Sequence, residues 1–220
     1  MIAIRPRTLG LIAASAILVA ACGATSSGGS AAGTSEASPA AGGNPPASPG
    51  EKLTATIVTP MGDIVIALKP DTAPIATANF VKLAESGYYD GVAFHRLVPG
   101  FVIQAGDAQF GKADAFDPER VGTGGPGYTI KDEPVVGDYV RGSVSMARTA
   151  APDSQGSQFF IALEDLTGSL PKSGGYVIFG QVIEGMDVVD AIGAMPNSGS
   201  DTGNTALEPV PMESVTITRG

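Results

Sequence analysis

The chain has 220 residues, of which 43% are hydrophobic and only 16% charged, with 30 Gly and 17 Pro. That length holds one sizeable core or two small ones, and the composition favours a loop-rich globular domain over a coiled coil or helical bundle. A formal net charge of -9 without any basic stripe argues against a nucleic-acid partner, because phosphate contacts supply most of such affinity. One His and one Cys, far apart in sequence, make neither a metal-ligand cluster nor an intramolecular disulfide, so no metal site is expected.

The first segment, "MIAIRPRTLGLIAASAILVAACG", sets Arg5 and Arg7 before an apolar run from Leu9 to Ala21 and then Cys22. A basic start, a short apolar run and small residues at the end form the layout of a signal peptide. The run is short for a transmembrane helix. Its end, "VAAC", resembles a bacterial lipobox, in which the cysteine becomes the lipidated first residue. Residues 1–21 are therefore expected to be a lipoprotein signal and Cys22 the lipid anchor; their removal leaves 11 basic against 22 acidic residues, a charge of -11. Residues 23–52 are Gly, Ser, Ala and Pro with almost no large apolar side chain. Such a stretch buries too little surface to offset chain entropy and is expected to act as a disordered tether spanning roughly 30 Å. The expected setting is extracytoplasmic, on a bacterial membrane.

Residues 53–220 remain as the folded domain. "LTATIVT" and "DIVIALK", joined by "PMG", read as a β-hairpin. "DTAPIATANFVKLAESG" reads as a helix: Asp71 or Thr72 caps it, Pro74 sits in its first turn, Gly87 ends it, and Ile75, Phe80, Leu83 and Ala84 share one face. Further strands are expected at 94–97, 102–105, 142–146, 158–162, 177–183 and 212–218, with "MDVVDAIGAM" as a second helix. Eight short strands and two helices point to a closed antiparallel barrel capped at its ends.

In "FHRLVPGFVIQAGD", Phe94 to Asp107, two apolar runs flank a Pro-Gly turn, and the sole histidine, His95, stands beside Arg96. This segment and "GSVSMARTAAPDSQGSQFFIAL" resemble the two signature segments of the cyclophilin family of peptidyl-prolyl isomerases. "GTGGPGYTIKDE" and "YVIFGQV" resemble two further family segments, and the similarity runs over essentially all of residues 53–220. The resemblance implies an eight-stranded barrel with two capping helices, a monomer that interconverts cis and trans X-Pro bonds without a cofactor. Its implied partners are proline-containing segments of secreted proteins, folded or unfolded.

Peptide rotation meets a barrier of about 18–20 kcal/mol because resonance gives the C–N bond double-bond character. For X-Pro bonds cis and trans are close in energy yet exchange slowly. A catalyst must favour the twisted state, in which the prolyl nitrogen regains a lone pair that accepts a hydrogen bond. A guanidinium suits this, being always charged, rigidly forked and only a donor. The resemblance places Arg96 as that catalytic residue. It also places Phe101, Val102, Met146, Phe160 and Leu170 around the proline ring, where residues alone would equally read as plain core. Gln104, implied to bond the substrate carbonyl and steady Arg96, and Gln158 otherwise read as outward strand amides. Ala147 and Arg148 match the segment that pairs its backbone with substrate, and Tyr176 precedes "VIFG". For His95 a neutral imidazole, hydrogen-bonded inside the wall, suffices.

The sequence departs from the family in three places. Leu170 falls near a position that is Trp in many relatives, and this chain has no Trp. "SLPKSGG" is spaced differently from the usual loop, and 108–121 is an insertion-like stretch before "GTGGPG". That Gly-rich loop lacks the Lys and Ser/Thr of a phosphate-binding loop and reads as an edge of the groove. The competing reading is a non-catalytic binder of proline-containing segments, a surface holdase or adhesin, which would not need the Arg96 cation. An extracellular solute-binding lipoprotein shares only the tether.

Overall fold

The structure is a computed structural model and describes residues 50–220. The expected signal segment, Cys22 and the tether as far as residue 49 lie outside the described residues.

The described chain forms β1 (Leu53–Thr59), β2 (Gly62–Leu68), α1 (Pro74–Glu85), β3 (Ala93–Val98), β4 (Val102–Ala105), β5 (Ser143–Met146), β6 (Phe159–Ala162), β7 (Ile178–Glu184), α2 (Met186–Gly193), β8 (Thr205–Pro211) and β9 (Ser214–Arg219). The nine strands make one sheet in the order β8-β3-β4-β6-β5-β7-β2-β1-β9. Every pairing is antiparallel. The expected closed eight-stranded barrel is corrected here: the sheet is open, because its end strands β8 and β9 pair only with β3 and β1. It curls strongly all the same. Only Met212 and Glu213 join β8 to β9, and their N–H groups donate to Val92 O and Val58 O at opposite ends of the strand order.

The extra strand is β8. Its sequence, "TALEPVP", carries Pro209 and Pro211, which argue for a loop. Proline is tolerated on an edge strand, and β8 is one. The β1–β2 hairpin follows from alternation: Leu53, Ala55 and Ile57 face inward along β1.

α1 begins at Pro74 but not by the expected cap. Neither Asp71 nor Thr72 supplies it; Glu133, far along the chain, accepts the N–H groups of Ile75 and Ala76 at 2.8 Å each. Asp71 instead accepts from Gly50 N at 2.8 Å. Phe80, Leu83 and Ala84 are buried as the periodicity requires, whereas Ile75 is 42% exposed, its turn lying beyond the edge of the core. Phe80 sits at the centre of an aromatic group, with ring centroids 5.2 Å from Tyr89, 5.5 Å from Phe159 and 5.1 Å from Phe179. These contacts fix α1 on the concave side of the sheet.

A second, smaller apolar cluster holds Val102, Tyr139, Phe160, Ala162, Leu166 and Ile178. It uses the same strands as the main core. On β4, Ile103 and Ala105 belong to the core and Val102 to the second cluster; on β6, Phe159 and Ile161 belong to the core and Phe160 and Ala162 to the second cluster. Period-two alternation thus gives one set of strands two apolar faces.

Candidate active site

The site is a row across this second face. Arg96 on β3 pairs with Gln104 on β4, and Gln104 pairs with Phe160 on β6. Neighbouring positions alternate: Leu97 is core, whereas Arg96 reaches a cavity and Val98 packs on the second cluster. His95 and Arg96 are neighbours on β3 with different surroundings: the imidazole is buried, whereas the guanidinium reaches the cavity, and the β3–β8 register shifts between Phe94 and Arg96.

Arg96, Phe101, Val102, Gln104, Ala147, Arg148, Phe160, Leu170 and Tyr176 line one cavity of about 210 Å³. Phe160 and Tyr176 meet edge to face at 5.3 Å between ring centroids, forming a stiff aromatic wall. Among the described residues no carboxylate stands within ion-pair distance of Arg96. Its contact is with Gln104, whose Oε1 accepts from Nη1 at 3.4 Å. Gln104 Nε2 donates to Gln158 Oε1 at 2.9 Å, and Gln158 Nε2 donates to Gly122 O and Gly124 O, both at 2.9 Å.

Two of the expected site residues stand elsewhere. Gln158 lies one hydrogen bond behind the cavity and lines a neighbouring groove of about 730 Å³ with Thr123, Gly124, Tyr128, Thr149 and Ser154. Met146 is fully buried in the main core. It pairs with Phe159, an inward residue, while Ser145 pairs with Phe160, so parity alone removes Met146 from the site. Gln104, Ala147 and Arg148 line both cavities and divide them.

The Arg148 side chain is held by partners on two loops. It is 8% exposed, meets Asp132 at 3.0 Å, and donates to the carbonyls of Ala151 and Gly174 at 2.9 and 3.1 Å. It therefore ties the 149–154 loop to the 171–176 loop. Tyr139, which the sequence reading missed, is fully buried and does the same work below: its hydroxyl donates to Pro171 O at 3.0 Å and accepts from Tyr176 N at 2.9 Å. No local pattern marks that role, since the partners lie more than thirty positions away.

His95 is 2% exposed. Its pKa is lowered to about 4 by burial, offset in part by the Asp107 carboxylate and assisted by the Arg96 charge. It is neutral near pH 7. The expected hydrogen bond is not made: neither ring nitrogen has a partner among the described residues. No group of three His, Cys, Asp or Glu side chains is placed to hold a metal among the described residues.

A row of one unneutralised cation, two amides and an apolar cavity carries no nucleophile and no acid–base pair. It offers a shaped pocket and a fixed hydrogen-bond donor. Residues 54–219 match the family model described as cyclophilin type peptidyl-prolyl cis-trans isomerase/CLD. The chain is 45% identical over 153 residues to a probable peptidyl-prolyl cis-trans isomerase of Brucella suis, covering 67% of this chain and 72% of that protein. It is 38% identical over 163 residues to a peptidyl-prolyl cis-trans isomerase of Acinetobacter baylyi, covering 72% and 82%. Among solved structures it superposes on a cyclophilin type isomerase of Cryptosporidium parvum with a TM-score of 0.64 and 30% identity, covering 76% of this chain and 98% of that one. The same parasite protein has been solved in the presence of the dipeptide Ala-Pro, with a TM-score of 0.63. The chain belongs to the cyclophilin-type peptidyl-prolyl isomerases. It is an enzyme that interconverts cis and trans X-Pro bonds.

Proposed function

We propose that this isomerase works on extracytoplasmic proteins, held at a bacterial membrane by lipid on Cys22, and that it assists their folding. The reading of the site rests on Arg96, a cation without a carboxylate partner among the described residues, facing a cavity of about 210 Å³ walled by Phe101, Val102, Phe160 and Leu170. The prolyl ring enters this cavity. The backbone of Ala147 and Arg148 pairs with the substrate chain beside it, and Gln104 bonds a substrate carbonyl. Residues flanking the proline lie over the adjoining groove. As the X-Pro bond twists, the prolyl nitrogen loses conjugation and its lone pair accepts a hydrogen bond from the Arg96 guanidinium. That bond is stronger in the twisted state than in the planar one, which is the condition for rate enhancement. A pure binder of proline segments would have no use for a cation left unpaired at some cost.

Two measurements test the proposal separately. Residues 53–220 should accelerate isomerisation of a short X-Pro peptide; a folded domain without activity would leave only the binder. In the bacterial cell, Cys22→Ser should release the protein from membranes or leave its signal uncut. A variant that fractionates and is processed as the parent is would sink the lipid anchor.

A further inference from the structure

Asp107 belongs to none of the roles assigned above, yet it is fully buried at the exit of β4. Both of its oxygens are used on backbone. Oδ1 accepts from Gln109 N and Phe110 N at 3.0 Å each, and Oδ2 accepts from Gly122 N at 2.8 Å and Gly124 N at 2.9 Å. One carboxylate therefore clasps the start and the end of the 108–121 stretch. Between the two ends that stretch is stitched to the entry of β3, through Ala93 N to Gly111 O at 2.8 Å and Ala113 N to Gly91 O at 2.9 Å. The residues whose N–H groups Asp107 holds, Gly122 and Gly124, are those whose carbonyls hold Gln158.

We propose that Asp107 is a positioning residue for Arg96, acting through a continuous line of hydrogen bonds: Asp107 to the Gly122–Gly124 backbone, to Gln158, to Gln104, to the guanidinium. This rests on the reading of Arg96 as the group that stabilises the twisted bond. The last link, 3.4 Å from Arg96 to Gln104, is the longest and so the most sensitive to any movement of the Gln104 amide, which Gln158 in turn holds. Releasing the loop frees Gln158 to turn, then Gln104, and the donor loses its aim. Misplacement of a catalytic group by about 1 Å costs on the order of 100-fold in rate, and a partial loosening costs less. The insertion-like stretch thereby gains a role: it carries the Gly122–Gly124 carbonyls to the amide line, and Asp107 is the fastening.

The test uses the full chain and a short X-Pro peptide. Asp107→Asn keeps the size but turns an NH₂ toward N–H donors. It should lower kcat roughly tenfold with KM changed less than about twofold. It should also shift the Arg96 guanidinium N–H resonances, which a loss of global stability alone would not do below the melting transition. In a Gln158→Ala background the same substitution should change kcat by less than about twofold, because the line is already cut. Gly122→Ala leaves Asp107 intact and strains the loop from the other side, since Gly122 has φ +92° while a Cβ there stands 3.7 Å from His95 Nε2 in ordinary contact. It should give the same signature and covers the case in which Asp107→Asn does not fold. Unshifted Arg96 resonances with parental kcat in either folded variant, or effects of Asp107→Asn and Gln158→Ala that simply multiply, would overturn the inference. Parental turnover in Arg96→Ala would overturn the reading of Arg96 on its own, since the resonance shift is observed independently of turnover.

Discussion

Arg96 and Met146 face different environments, the cavity and the main core, and their substitution should therefore fail in opposite ways. Arg96 reaches the cavity; removing it should spare the fold and the ground-state affinity for peptide, and lower kcat and kcat/KM together. A charged hydrogen bond is worth roughly 1.5–3 kcal/mol, which is about 10- to 150-fold in rate. Arg96→Lys should also be poor, because an ammonium lacks the planar fork. The binder reading expects weaker affinity and no turnover to lose, so both quantities belong on the same variant, with the melting temperature as the folding control. Met146→Ala should do the reverse. The side chain is fully buried among the core residues, so truncation costs about 2–5 kcal/mol of stability. Where the variant remains folded, KM for an X-Pro peptide should stay near parental. A large rise in KM without loss of stability would return Met146 to the pocket.

At the scale of elements, what the sequence made readable was local. Both helices, the first hairpin and the strands carrying Arg96 and Phe160 follow from periodicity and turn residues close by in the chain. What stayed hidden was settled by partners far away. β8 is a strand that carries Pro209 and Pro211 because it lies on an edge, where proline is tolerated, and edge position is a property of the whole sheet. Matching of segments puts Met146 at the pocket, and only its pairing with Phe159 and its burial in the main core show that it faces the other way. Half of the Asp107 clasp could be read locally, since an Asp followed by free N–H groups two and three residues on is a turn pattern. The other half, at Gly122 and Gly124, could not. The start of α1 is a similar case. A carboxylate at the positive end of a helix is favourable, and here Glu133 supplies it with two hydrogen bonds from 57 and 58 positions away. Glu133→Ala should destabilise the domain by ~1 kcal/mol, as loss of a cap does. Asp71→Ala, which removes no contact to the helix, should not reproduce this loss. Chemical denaturation of both variants checks it, and equal losses would mean that the cap is elsewhere.

At the scale of the whole molecule, one curled sheet serves two masters: its concave side packs the core on α1, and the outer faces of β3, β4 and β6 carry the site. His95 is buried on β3, next to Arg96. Its burial makes the stability of the entire domain depend on pH. The imidazole has a folded pKa of about 4 and an ordinary value of 6.5, so between those limits the unfolded chain binds a proton that the native protein does not. Above pH 6.5 neither state is protonated there, and the contribution is constant. As pH falls through 6.5 the unfolded state gains the proton first, and native stability declines until the folded pKa is reached near 4. A separation of this size amounts to ~3 kcal/mol. The net charge of -9 adds carboxylate titrations in the same range, so the histidine share must be isolated by comparison. His95→Gln cannot titrate. Melting curves from pH 7 to pH 4 should show the parent losing stability more steeply than His95→Gln, with the two profiles parallel above pH 6.5. Profiles that run parallel all the way to pH 4 would mean that His95 is not buried as a neutral group.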